Sequence, residues 1–193
     1  MLSRSAAEVA SHRCQKLEEI SMFHKILVAM DDSAIGESVF DEALALAKAT
    51  MSSLMLLHVL SFEEKGNPNL GYYPGLSVKT LELYQEQWKS LEKYGLELLR
   101  SHAAQATAVG VSTEFTHNFG SPGKTICNLA RNWGADLIVV GRRGHAGLSE
   151  LILGSVSNYV LHYAPCSVLT VQYTGKKSTQ PATNRASEVV ALN

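Results

Sequence analysis

The sequence predicts a doubly wound α/β domain on a mostly parallel, five-stranded sheet. Three observations carry this: short apolar runs that stop abruptly, amphipathic stretches of helical period, and a regular alternation of the two along the chain. The first run, "KILVAM" (25–30), ends at Asp31, Asp32 and Ser33, and its nearly unbroken apolar character suits a strand covered on both faces. "ESVFDEALALAKAT" then sets Val39, Phe40, Ala43, Leu46 and Ala47 on one helical face. "SLMLLHVL" (53–60) repeats the buried-strand pattern. The segment 61–77, rich in Gly, Pro and Asn, reads as an unusually long loop, either a lid or partner surface or a disordered insertion.

From Val78 to about Ala106, Leu81, Tyr84, Trp88, Leu91 and Leu98 recur at roughly helical spacing and give the longest helix. "VSTEFTH" (111–117) alternates polar and apolar residues, which marks a half-exposed strand nearer a sheet edge. Ile126, Leu129, Ala130 and Trp133 form a helical stripe, "ADLIVVG" a buried strand, Val156, Val160 and Tyr163 another stripe, and "CSVLTVQY" the last strand. Crossovers between parallel strands are right-handed, and ligands of such sheets sit at the carboxyl ends of strands where the winding reverses. The loops after "KILVAM", "LMLLHVL" and "DLIVV" are therefore where chemistry is expected.

Composition narrows the partners. The 193 residues suit one core; 46% are hydrophobic and 18% charged, and no apolar run reaches the ~18–20 residues a spanning helix needs. A net charge of −1 gives no basic field for nucleic acid or acidic lipid. Three widely spaced cysteines, Cys14, Cys127 and Cys166, fit a reducing compartment. Residues 1–22 lack the continuous apolar core of a secretory signal and read as a helical or disordered extension, with Met22 a conceivable second start. Residues 174–193 read as a polar flexible tail, which leaves 23–173 as the folded domain.

"GSPGKT" (120–125) imitates the end of a nucleotide-binding phosphate loop. The full pattern G-x-x-x-x-G-K-[ST] fails here: Asn118 stands at the first glycine position, and Pro122 removes an N–H that the loop should donate. Ser121 as N-cap, Pro122 at the first helical position, and Gly120 and Gly123 easing the turn account for the stretch as a helix entrance. Lys124 receives no ligand role.

A second glycine cluster survives the same test. "GRRGHAGLSELILGSVSNYV" follows a buried strand, with Gly141 and Gly144 at the strand end and Gly154 and Ser155 opening the next helix. Glycines admit a ligand close to the backbone, and a helix N-terminus offers unpaired N–H groups to phosphate. The same residues also serve as plain turn and cap. The spacing G-x2-G-x9-G-S, in its strand and helix context, favours phosphate.

Through "KILVAMDDS", "LLHVL" and "ADLIVVGRRGHAGLSELILGSVSNYVLHYAPCSVLTV", residues 24–172 resemble the ATP-binding branch of the universal stress protein family. The resemblance implies a Rossmann-like, adenine nucleotide hydrolase-like sheet in the order 3-2-1-4-5, with a nucleotide across the ends of strands one and four. It also implies a homodimer through the last strand (167–173), or a tetramer. Carried over, Asp31 would meet adenosine or a phosphate-bound metal, and Val59 would contact adenine through its backbone. Gly141, Gly144, Gly154, Ser155 and Val156 would hold ribose and phosphates; Arg142 and His145 line the same loop. Asp31 and Asp32 also suit turn capping, Val59 the core, and His58 a hydrogen-bonded structural histidine.

No His, Cys or carboxylate cluster has metal-ligand spacing, so Mg2+ would arrive with the phosphates. The expected function is a cytoplasmic, stress-response protein that binds ATP, AMP or cyclic AMP and hydrolyses ATP slowly at most, because no catalytic base is evident. Two alternatives stay open: a dimeric scaffold without nucleotide, and an adenylate-forming transferase, whose glycine-rich loop after strand one is replaced here by "MDDS".

Overall fold

The computed structural model describes residues 22–61, 78–142 and 154–172. In chain order these form β1 (Lys25–Ala29), α1 (Ala34–Thr50), β2 (Ser53–Leu60), α2 (Val78–Ala108), β3 (Thr113–Phe119), α3 (Pro122–Trp133), β4 (Leu137–Arg142), α4 (Ser155–Tyr163) and β5 (Ser167–Gln172). The strands make one sheet in the order β3-β2-β1-β4-β5, and every pairing is parallel. The expected α/β class and strand order therefore hold, and "VSTEFTH" does belong to an edge strand, shifted two residues later. The shift arises because Gly110, at φ 85°, and the Val111 N–H bond to Ala106 are spent closing the preceding helix.

The apolar strands are explained by their two coats. Ile26, Val28, Leu54, Leu56, Leu137 and Val139 face Val39, Phe40 and Ala43 of α1 and Leu99 and Ala103 of α2. Leu27, Met55, Leu57, Ile138 and Val140 face the other way, onto Ile126, Cys127 and Ala130 of α3 and Val160 of α4. Successive side chains alternate faces, so a strand buried on both sides must be apolar throughout. At the amino ends of the strands, Asp136 pins β1 to β4: its carboxylate accepts the His24 N–H at 2.8 Å and the Lys25 N–H at 3.1 Å.

α1 begins three residues before the expected "ESVFDEALALAKAT". Ser33 is the N-cap, its hydroxyl accepting the Gly36 N–H at 3.2 Å. At the other end Met51 adopts the left-handed conformation, φ 55° and ψ 35°, with its side chain exposed. A non-glycine residue there costs roughly 1–2 kcal/mol. Met51→Gly is expected to stabilise the protein by about 0.5–1 kcal/mol after the entropy of the extra glycine is charged against it. A Tm that stays level or falls would contradict the assignment of strain to this cap.

Candidate functional site

Because every strand runs the same way, the carboxyl ends of β1, β2 and β4 share one rim. The winding reverses between β1 and β4, which are paired at Ile26–Leu137 and Ala29–Val140. A cavity of about 460 Å3 opens there. Its floor is apolar, with Leu57, Val59, Ile126 and Val140, and its walls are three helix beginnings: Ser33 to Gly36 of α1, Ser121 to Gly123 of α3, and Gly154 to Ser157 of α4. Each helix start has N–H groups without an intrahelical acceptor and carries a partial positive charge. No Lys or Arg side chain is among the described lining residues, so the backbone supplies the positive potential.

Of the residues singled out in the sequence, Asp31, Val59, Gly141, Gly154, Ser155 and Val156 all line this cavity. Gly144 and His145 lie outside the described residues. Arg142 is not part of the lining; its Nη1 donates to Gln172 Oε1 of β5 at 3.4 Å. Gly154 is the N-cap of α4, at φ −58° and ψ 152°, and Ser155 is the first helical residue.

Two of these residues have structural work as well. Asp31 Oδ1 accepts both the N–H and the hydroxyl of Ser33, so this carboxylate braces the cap of α1 while facing the cavity. Gly141 is required by packing: a Cβ there would lie 2.5 Å from Ile35 Cγ2 and 3.3 Å from Val39 Cγ2. The glycine thus seats α1 on β4, independently of any ligand.

Ser33, Ile35, Gly36, Ser61, Ser121 and Tyr159 also line the cavity but carried no site signal in the sequence. "GSPGKT" is the helix entrance expected of it, with Ser121 as N-cap and Pro122 at the helix start; Gly120 has φ 131°, a value that favours glycine. The Ser121 side chain makes no capping bond, however, and it faces the same rim as β1 and β4. The signal lay in the topology: helices that directly follow parallel strands begin at the carboxyl-end rim of the sheet, whichever face they cover. Gly123 meets α4 closely, since a Cβ there would sit 2.7 Å from Tyr159 Cδ1.

A doubly wound parallel sheet with a cavity at its switch point, ringed by helix N-termini, defines the open α/β class in which ligands bind at the carboxyl ends of the strands. Residues 22–172 match the model of the universal stress protein family, and the chain belongs to that family. It is 37% identical over 155 residues to universal stress protein Sll1388 of Synechocystis, covering 78% of this chain and 99% of that protein. Two solved structures share the fold. A universal stress protein in complex with cAMP superposes with a TM-score of 0.53 at 22% identity, over 78% of this chain and 97% of that one. An Arabidopsis thaliana universal stress protein family member with AMP bound gives 0.51 at 21%, over 82% and 97%. Among the described residues no helix is long and apolar enough to cross a membrane.

Proposed function

We propose that this chain is an ATP-binding universal stress protein, a cytoplasmic regulatory homodimer that takes Mg2+ with its nucleotide and hydrolyses ATP slowly at most. The observation that carries the reading is the convergence of three helix N-termini on one apolar-floored cavity. A volume of about 460 Å3 lies within the span of small-molecule sites. The apolar lining of Leu57, Val59 and Val140 suits a purine, and the N–H groups at Gly154–Val156, at the start of α4, suit phosphate oxygens. Bound nucleotides in two fold relatives, cAMP in one and AMP in the other, support an adenine ligand.

Mg2+ would supply the positive charge that the described lining side chains lack, with Asp31 the lining carboxylate able to approach it. Gly144 belongs to the same proposal through the G-x2-G-x9-G-S spacing. Dimerisation is assigned to residues 167–173. β5 is an edge strand, and Leu169 on it and Leu161 and Tyr163 before it are exposed. The site lies within residues 23–173, flanked by the 1–22 extension and the 174–193 tail.

Thermal unfolding with ATP, AMP and cyclic AMP, each with and without Mg2+, tests the reading. A ligand at a hundredfold excess over its Kd stabilises by about 2.7 kcal/mol, several degrees in Tm for a chain of this size. Gly154→Leu is the diagnostic variant: its backbone angles are open to any residue, so the apo protein should lose no more than the ~1 kcal/mol of a poorer N-cap while the nucleotide shift disappears. An undiminished shift in Gly154→Leu, or no shift with any adenine nucleotide in the parent, would refute the site.

A further inference from the structure

His58 of β2 and His117 of β3 are register partners on neighbouring strands, and their rings stack with centroids 5.0 Å apart and planes inclined by 18°. The expectation for His58 was a hydrogen-bonded structural histidine; it is structural, but its Nδ1 and the Nε2 of His117 are both buried without a hydrogen-bond partner. These two nitrogens meet α2 at Gly95, where a Cβ would stand 2.7 Å from His117 Nε2 and 2.8 Å from His58 Nδ1. The rings thus occupy the space of the side chain that Gly95 lacks, against the helix backbone. Phe119 meets His117 edge-on at 5.2 Å and Trp88 stacks on Phe119 at 5.5 Å, extending the aromatic cover along β3.

A buried polar atom with no partner is rare, and two converging on one glycine call for an explanation. Among the described residues no third His, Cys, Asp or Glu joins them to make a metal-binding group. Each imidazole can take up a proton near neutral pH.

We propose that the His58–His117 pair is a proton-operated latch that holds α2 on the β2–β3 edge of the sheet when both rings are neutral and releases it when either is protonated. Protonation places a charge against a second imidazole and a helix backbone, with no acceptor in reach of the buried nitrogen; lifting α2 admits water to it. The charged groups facing the pair are Asp32, in the turn after β1, toward His58, and Glu92, one turn before Gly95 on α2, toward His117. Burial is the largest influence on both rings and outweighs these carboxylates, holding both below the ordinary value of 6.5; for His58 the neighbouring imidazole lowers it further. The folded pair therefore binds fewer protons than the unfolded chain, and its stability is complete above about pH 6.5 and lost as pH falls below that value. The residue after His58 is Val59 of the cavity floor, so the latch adjoins the proposed nucleotide site without being part of it.

Hydrogen exchange on the full chain tests this, with α2 amides 88–99 compared with those of α4. On acidification from about pH 7.5 to about pH 5.5, the range in which histidine changes charge, α2 should lose protection several-fold more than α4 after correction for intrinsic exchange. In His117→Phe, which keeps a ring for His58 to stack on but removes one proton site, this selective loss should shrink. Proton NMR of the parent provides a reading that needs no variant: both imidazoles should titrate below ordinary histidine, together with the loosening of α2. Ordinary titration of the two rings, or equal loss of protection in α2 and α4, would overturn the proposal.

Discussion

Gly36→Ala is expected to be the most damaging small substitution in the domain. A Cβ at position 36 would stand 2.0 Å from the carbonyl oxygen of Asp31 and 2.9 Å from both its carbonyl carbon and Oδ1. Two of these atoms are backbone, at the end of the central strand, and cannot swing aside as a flexible side chain would. The first turn of α1 must therefore move off β1, breaking the Gly36 N–H bond to Ser33 and the Asp31 brace behind it. Overpacking at a well-fitted site costs about 1–3 kcal/mol, and a backbone clash belongs at the upper end. Chemical denaturation should show a lower midpoint with an unchanged m-value, and the cavity wall formed by α1 should lose its ligand affinity at the same time. A stability loss under about 0.5 kcal/mol, the level of an ordinary surface change, would mean that the close approach is not real.

Gly141→Ala is the second large expected effect, and it separates packing from ligand binding. The new Cβ would collide with Ile35 Cγ2 at 2.5 Å, so α1 is pushed from β4 and stability falls by about 1–3 kcal/mol. Ile35 is half-buried and its side chain can be shortened. In the pair Gly141→Ala with Ile35→Ala the collision is gone, and the double variant should be more stable than the sum of the single losses requires. Because Ile35 also lines the cavity, nucleotide affinity in that double variant is compared with Ile35→Ala alone, and the difference reports on the glycine's approach to the proposed ligand. Strict additivity of the two losses would show that Gly141 is not held by this contact.

Much of the fold was legible because burial on two faces leaves a simple trace. A strand such as Ile26–Ala29 or Leu137–Val140 has no polar position to spare, whereas the edge strand Thr113–Phe119 admits polar residues because none of it is fully buried; its burial does not follow the polar–apolar alternation, and Phe115 and Phe119 are exposed. The exact start of α1 was less legible. Its cap is Ser33 rather than either preceding aspartate, and Ala34, Ile35 and Gly36 carry no strong helical signal although they form the first turn.

Among the candidate site residues, those within a recognisable motif, Asp31, Val59, Gly141 and Gly154 to Val156, were found, and those at the start of α3, together with Ser61 after β2, were missed. Ser121 and Gly123 look like an ordinary helix entrance in sequence, and only the shared direction of the strands brings them to the same cavity as Asp31. The partner of Gly141 was illegible for a similar reason: Ile35 is far away in sequence, and no local pattern encodes a contact between helix and distant strand. The His58–His117 stack depends on the β2–β3 register, which the long intervening helix does not reveal.

The asymmetric surroundings of β1 also order events in time. On one side it meets β2, a near neighbour in sequence; on the other it meets β4, whose Leu137 pairs with Ile26 across most of the domain. Closing so long a loop is slow relative to local structure, so the β1–β4 seam is expected among the late contacts to form. The cavity straddles that seam. A ligand seated there arrives after the folding barrier has been crossed and leaves before it is recrossed, so it should lengthen the native lifetime while leaving the refolding rate nearly untouched.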